Sequence, residues 1–301
     1  MNPFSRIDVV FAAQTACLLE VSVDKPGNVG PSHDFIDTKY EDFLSSGFAI
    51  GEVVRDAVEF GMTYKPETSG VGFLIKKGVL DSSKGHEGRN TNLGMLMLLI
   101  PLSVSCGLLI KNNKYTLKAL REGVSSVIKG STPIDTVELY DAISTSDAEV
   151  GRSKRFDVKD PLSKKRVQEK NLNLFDVFNI SKWDNISREL VTGMEITFET
   201  GYPALASTYR ETGNMKKSVL RSFFDILSKY PDTLIERKND RHTAESISLE
   251  AKEILENGLQ IEEVATFDSK LRQNGNKLNP GTTADITASS IMVGLLDGLL
   301  F

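Results

Sequence analysis

Apolar residues recur along most of this chain at intervals of three and four, the spacing that gathers them on one side of an α-helix. From Phe4 to Val23, the residues Ile7, Val10, Phe11, Gln14, Leu18 and Val21 fall on a common face, with Ser5 placed as a cap. The same periodicity predicts helices over 40–61, 69–80, 92–110, 116–129, 133–144, 184–212, 216–229, 243–257, 261–273 and 283–300. Thr132 before Pro133 pairs a cap with a proline at the first helical position, and Gly61, Gly130, Gly213 and Gly258 stand where helices should stop. No stretch alternates as a strand does with hairpin chemistry beside it, so the expected fold class is all-α. With no repeat and no low-complexity linker, a single domain over residues 1–301 is the simplest division.

Two stretches depart from the amphipathic pattern in opposite directions. Leu93 to Ile110, LGMLMLLIPLSVSCGLLI, carries no charge and sits at the lower edge of a membrane span. Its proline, serines and glycines, and the lack of an aromatic belt, favour a central helix buried on all sides and bent at Pro101. By contrast GRSKRFDVKDPLSKKRVQEKN, residues 151–171, is crowded with lysine and arginine. It reads as a solvated loop and charged helix face, with a cationic lid over a phosphate-rich ligand as the lesser alternative.

Composition narrows the function classes. A chain that is 40% hydrophobic and 26% charged is a soluble globular protein, and a net charge of −5 argues against broad binding to nucleic acid or to an anionic membrane. Any polyanion site must then be a local concentration of positive groups. Cys17 and Cys106 lie inside apolar runs and read as buried thiols of a reducing compartment. The amino terminus does not read as a signal peptide, so the expected location is the cytoplasm.

Polar islands at helix junctions hold the candidate chemistry. In KPGNVGPSHDF, Pro26-Gly27 signals a turn, but a turn does not require Lys25, Asn28, His33 and Asp34 beside it. A lysine on a flexible, N–H-rich loop suits a phosphate, and His33 or Asp34 suits a base or a metal ligand. In GHEGRNTNLG, Asn92 can cap the apolar helix, yet Arg89, Asn90, Thr91 and Asn92 together exceed what one cap needs. In YPDTLIERKNDRHTAE, Arg237 and Lys238 are either surface charges or a phosphate clamp. The last island, NPGTTADITA, fits a capping box from Thr282 to Asp285, and equally a helix amino terminus that offers its N–H groups to an anion. Glu195 and Glu199, four apart in VTGMEITFETGYPAL, share a helix face and are candidate metal ligands if they point inward. Only three histidines are present, so oxygen ligands, and hence Mg²⁺, are the expected metal chemistry.

Taken in order, EVSVDKPGNVGPSHDF, GRNTNLGMLMLLIPL, the DV of FDVKD, VTGMEITFETGYPAL, YPDTLIERK and NPGTTADITA resemble the triphosphoribosyl-dephospho-CoA synthase family over nearly the whole chain. The resemblance implies an all-helical enzyme that uses ATP with Mg²⁺. It would move the 5-triphosphoribosyl unit to the ribose 2′-hydroxyl of 3′-dephospho-CoA and release adenine. By position, Lys25, Asn28, His33 and Asp34 fall in the family's first motif, Asn90 and Thr91 in its second, Arg237 in the arginine-containing one, and Asp285 in the last. Bacterial members read NTHKG where this chain has NTNLG, and SPGGSADLLA where it has NPGTTADITA, so Asn92, Thr282 and Thr283 replace family residues. In this it resembles the branch found in archaea and some methylotrophs.

The residue types suit that chemistry. Asp34 and Asp285 are assigned to metal binding or base work, His33 to acid–base help, and Lys25, Arg237 and Lys238 to phosphate oxygens. Asn28, Asn90, Thr91, Asn92, Thr282 and Thr283 are assigned to hydrogen bonding around the nucleotide. Two readings compete: a Mg²⁺-dependent nucleotide hydrolase or phosphotransferase, and a helical nucleotide-binding protein without turnover. The apolar carboxy-terminal segment is covered either by the chain's own core or by a second copy in a homodimer.

Overall fold

The computed structural model describes residues 5–83, 92–113, 115–146, 156–158 and 160–299. It is all-α: among the described residues no strand forms, and only Gly30 with His33 and Phe35 with Thr38 make isolated bridges. The chain divides into two compact units, one of Met1–Thr15 with Ser45–Glu195 and one of Ala16–Leu44 with Ile196–Phe301. Helices α1 (Arg6–Val21) and α2 (Tyr40–Ala49) contribute residues to both.

The first unit contains α3 (Gly51–Thr63), α4 (Val71–Ser82), α5 (Leu93–Asn112), α6 (Leu117–Lys129), α7 (Pro133–Thr145), α8 (Ser163–Glu169), α9 (Leu174–Ile180) and α10 (Asn185–Thr192). Its centre is α5, which runs on through Pro101 and packs against α3, α4, α6 and α10. Among the described residues α5 is the one helix long and apolar enough to cross a membrane, and its apolar stretch is 83% buried inside the protein. Glycine makes its tightest crossing. A Cβ on Gly61 would meet the Val104 carbonyl oxygen at 2.1 Å, and one on Gly107 would meet that of Val58 at 2.2 Å. Gly61 is therefore a contact point inside α3 and not the stop signal expected of it. Buried Asp135 starts two helices at once. One carboxylate oxygen accepts from Gly70 and Gly72 N–H at α4, and the other accepts from Thr132 N–H at α7.

The second unit contains a π-helical turn (Thr197–Gly201), α11 (Tyr202–Thr212), α12 (Met215–Lys229), α13 (Thr233–Lys238), α14 (Arg241–Glu256), α15 (Ile261–Arg272) and α16 (Gly281–Leu296). Phe223 and Phe224 of α12 meet edge to face at 5.8 Å, Phe224 meets Phe267 of α15 at 6.0 Å, and Ile235 and Ile247 close the cluster. Helix α16 is buried along most of its length and packs against α11, α12, α13 and the π turn.

Several expected elements are revised. The buried side of α1 is Val9, Ala12, Ala13, Ala16, Cys17 and Glu20, whereas Ile7 and Phe11 are 78% and 58% exposed. Four of these six are alanine or cysteine, small side chains that a ranking by side-chain size passes over. The helix expected over 40–61 is two, divided at buried Ile50, and the one over 184–212 is interrupted between Thr192 and Thr197. There Gly193 and Met194 take positive φ (66° and 58°). Helices α8, α9 and α13 span 7, 7 and 6 residues, too short for periodicity to reveal. In the basic segment, residues 151–155 and 159 lie outside the described residues. Beyond them Lys164 pairs with Asp141, Arg166 with Asp160 and Lys165 with Glu169, as on a solvated helix face.

Candidate active site around the amino terminus of α16

Helix α16 does not begin with the expected capping box. Its first residue is Gly281, so Thr282 and Thr283 lie within the first turn, and no side chain caps it locally. The cap comes from 51 residues away: Asp232 Oδ2 accepts the Thr283 N–H at 2.7 Å and the Thr283 hydroxyl at 2.8 Å. The other oxygen, Oδ1, accepts the N–H groups of Leu234 and Ile235 and so starts α13 as well. One buried carboxylate thereby satisfies orphan donors of two helices. Thr233 and Thr282 join hydroxyls at 3.4 Å, and a Cβ on Gly281 would strike Leu234 at 2.6 Å, so the two helix starts lie against each other. Burial pushes the Asp232 carboxyl above its ordinary value, while the bonds from Thr283 and Ile235 and the charge of Arg237 pull it down.

The loop after α1 reaches the same place. Gly27 has φ +73°, and a Cβ on it would come within 2.9 Å of Leu271 and 3.1 Å of Pro280. Only glycine fits so close to α15 and the start of α16. Asn28 Nδ2 donates to Asn279 Oδ1 at 2.6 Å, the Gly27 N–H to Asp268 at 2.8 Å, and Arg272 to the Asn28 carbonyl oxygen. The sequence motifs KPGN, PDT and NPGTT, far apart along the chain, are thus assembled around the first turn of α16.

Lys25 behaves differently from its assignment. It is 1% exposed, and its three donors meet the Glu20 carbonyl oxygen, the Val23 carbonyl oxygen at 2.8 Å and the Glu20 carboxylate at 3.0 Å. In this conformation no donor remains for a phosphate. Residues 25–30 are buried, so the loop is a pinned strap and not the flexible cradle expected of it. Burial raises the Glu20 carboxyl, and Lys25 works against that rise. It also lifts the Cys17 thiol, with Glu20 and then the charge of half-buried Asp285 adding to the effect.

The remaining candidates divide by location. His33 and Asp34 are exposed further along the same loop, where Asp34 Oδ1 accepts the Tyr40 N–H at the start of α2. Arg237 is half-buried in α13, and Lys238 donates to the Asn276 carbonyl oxygen at 3.0 Å, which ties α13 to the segment before α16. Asn92 is buried at the start of α5 in the first unit, and its side chain makes no capping bond there. Asn90 and Thr91 lie outside the described residues. Glu195 and Glu199 do not make an inward metal pair. Glu195 is bound to Arg188 at 3.0 Å and lies before the π turn, whereas Glu199 is exposed within it. Among the described residues no group of three or more His, Cys, Asp or Glu is arranged to hold a metal ion. The sequence reading passed over the cap at Asp232 and the pinning pair Asp268 and Arg272. For Asp232 a signal existed: proline then Asp-Thr ahead of an apolar pair is a helix start.

Comparison with known families matches residues 7–300 to CitG, described as ATP:dephospho-CoA triphosphoribosyl transferase. Among solved structures, the chain is similar to a crystal structure from Archaeoglobus fulgidus provisionally named triphosphoribosyl-dephospho-CoA synthase. The two share 28% identity over 86% of this chain and 99% of that one, with a TM-score of 0.67. A search of the curated proteins gives no match.

Proposed function

The chain belongs to the CitG family of ATP:dephospho-CoA triphosphoribosyl transferases, and from that premise we propose that the first turn of α16 and the straps around it serve transfer of the triphosphoribosyl group of ATP to dephospho-CoA. Removing that group from ATP leaves adenine. The bond from ribose C1′ to the purine nitrogen breaks, and the acceptor hydroxyl oxygen bonds to C1′. The acceptor's proton passes to a base, and the departing adenine takes up a proton. Charge at C1′ passes through an oxocarbenium-like state, which a nearby carboxylate stabilises.

The observation that carries this reading is the assembly of KPGN, PDT and NPGTT on one helix start. A helix amino terminus favours negative charge, and half-buried Arg237 adds a cation beside it. Asp285, one turn further into α16, is our choice for the base or for the carboxylate at C1′. Asn28 and Thr282 are hydrogen-bonding groups of the strap and the helix start. His33 and Asp34 stand exposed, where a mobile substrate can reach them. Lys25 supports the strap from within.

Mg²⁺ fits this donor set in one way. The lack of a three-residue cluster among the described residues excludes an all-protein cage from them, whereas Mg²⁺ bound through one or two carboxylates and substrate phosphates needs no such cluster. Asp285 or Asp34 would be its protein ligand, and it would neutralise triphosphate charge.

Incubation with ATP, Mg²⁺ and dephospho-CoA tests the reading: free adenine and a triphosphoribosylated acceptor are expected in equal amounts. ADP, or pyrophosphate without adenine, would instead establish a phosphotransferase or hydrolase, and unchanged ATP a binding protein. Asp285→Asn is expected to lower adenine release by at least ~100-fold, the lower range for removal of a general base.

A further inference from the structure

The network that pins the strap contains a residue that none of the motifs marks. Arg272, the last residue of α15, sets Nε against both oxygens of Asp268, at 2.8 and 2.9 Å, and sends Nη2 to the Asn28 carbonyl oxygen at 2.5 Å. Asp268 in turn accepts the Gly27 N–H, and the guanidinium lies 5.8 Å from the centre of the Phe35 ring. Arg272 therefore holds the strap at two successive residues, through Asp268 at Gly27 and directly at Asn28, and meets the loop beyond it across the Phe35 ring.

Two atoms of this network are left over. Arg272 Nη1 and Asn28 Oδ1 are both buried and have no hydrogen-bond partner among the described residues. A latch serving only the fold would satisfy both, because an unpaired buried polar group is costly. One spare donor and one spare acceptor, on residues already bonded to each other, leave this network able to take a further polar partner.

We propose that Arg272 is a positioning residue for the transfer reaction, fixing the Asn28 backbone so that the Asn28 amide is held against Asn279 at the start of α16. The inference rests on the functional reading above. Lysine is the informative replacement. It keeps a charge beside Asp268, but a single ammonium cannot grip a carboxylate, a carbonyl and a ring in the planar geometry of a guanidinium.

Arg272→Lys is expected to retain the wild-type melting temperature to within a few degrees and to lower kcat for adenine release by about 100-fold, the scale of a ~1 Å misplacement. KM for ATP should change little. Asn28→Ala should show a similar fall, and the double variant should be no slower than Asn28→Ala alone, because both act through one group. Losses that multiply in the double variant, or a fall in melting temperature with kcat preserved, would overturn the proposal.

Amide hydrogen exchange gives a second readout independent of activity. In Arg272→Lys, exchange over residues 24–30 should quicken while that of α16 stays unchanged. Unaltered exchange over 24–30 overturns the proposal whatever the kinetics. Wild-type protein that releases no adenine refutes the functional reading instead, and the exchange result still decides whether Arg272 holds the strap.

Discussion

Lys25 and Glu20 form a fully buried pair, and the physics of such pairs decides what Lys25 does. Removing one partner strands the other in a low-dielectric interior. Lys25→Met is therefore expected to cost ~3–5 kcal/mol in denaturant unfolding, and adding Glu20→Gln should restore part of the loss. A phosphate-binding lysine would give the opposite pattern, with stability kept and KM for ATP raised. The sequence held a clue to this pairing. Glu20 follows Ala16 by four and Cys17 by three, both on the buried side of α1, so a carboxylate there needs a cation, and Lys25 is the first one after it. Asp232 offers a second test at this scale. Its folded-state value is raised by burial, so the folded protein binds its proton more tightly than the unfolded chain. The stability this contributes is present below the ordinary aspartate value near 3.8 and is lost as pH rises through the elevated one. The stability difference between wild type and Asp232→Asn should accordingly be largest near the acid end and narrow towards neutral pH. Unfolding curves at several pH values measure it, and a gap that widens with pH would refute the assignment.

Helices show where sequence patterns carry structure and where they stop. The long apolar segments were legible: α5, α6, α7, α12, α15 and the body of α16 lie close to where the apolar pattern put them, because each buries one face, or for α5 and α16 most of the helix, in its own unit. What starts and joins them was less visible, because the groups responsible are distant in sequence. Each unit uses one buried aspartate, Asp135 or Asp232, to begin two helices, and the spacing of those partners is fixed by packing alone. The candidate site shared that fate: its motifs were readable as polar islands, but the inward turn of Lys25 and the role of Asp268 and Arg272 were not. The contact of α3 with α5 was likewise hidden, since a glycine that permits close approach looks in sequence like one that ends a helix. Gly61→Ala would drive a methyl group into the Val104 carbonyl oxygen and is expected to destabilise the protein by about 1–3 kcal/mol, as overpacking does. Calorimetry checks it, and an unchanged melting temperature would mean that α3 and α5 separate freely.

For the molecule as a whole, the charge balance sets the conditions for handling a polyanion. The chain carries 36 basic against 41 acidic residues, so its average field repels a triphosphate, and attraction has to be generated locally. In the proposed site the first turn of α16 and Arg237 would supply some of that. The described residues provide no cluster able to keep a divalent ion in the absence of substrate. The Mg²⁺ proposed above would then arrive bound to the nucleotide, adding positive charge where the protein is short of it. This makes a prediction about metal handling that differs from that for a resident cofactor. Protein stripped with a chelator and returned to metal-free buffer should keep its melting temperature. It should regain full adenine release at once when Mg²⁺ and ATP are added together, with activity following the concentration of the Mg²⁺–ATP complex. A slow recovery, a lowered melting temperature after chelation, or metal retained through gel filtration would instead require a preformed cage of protein ligands.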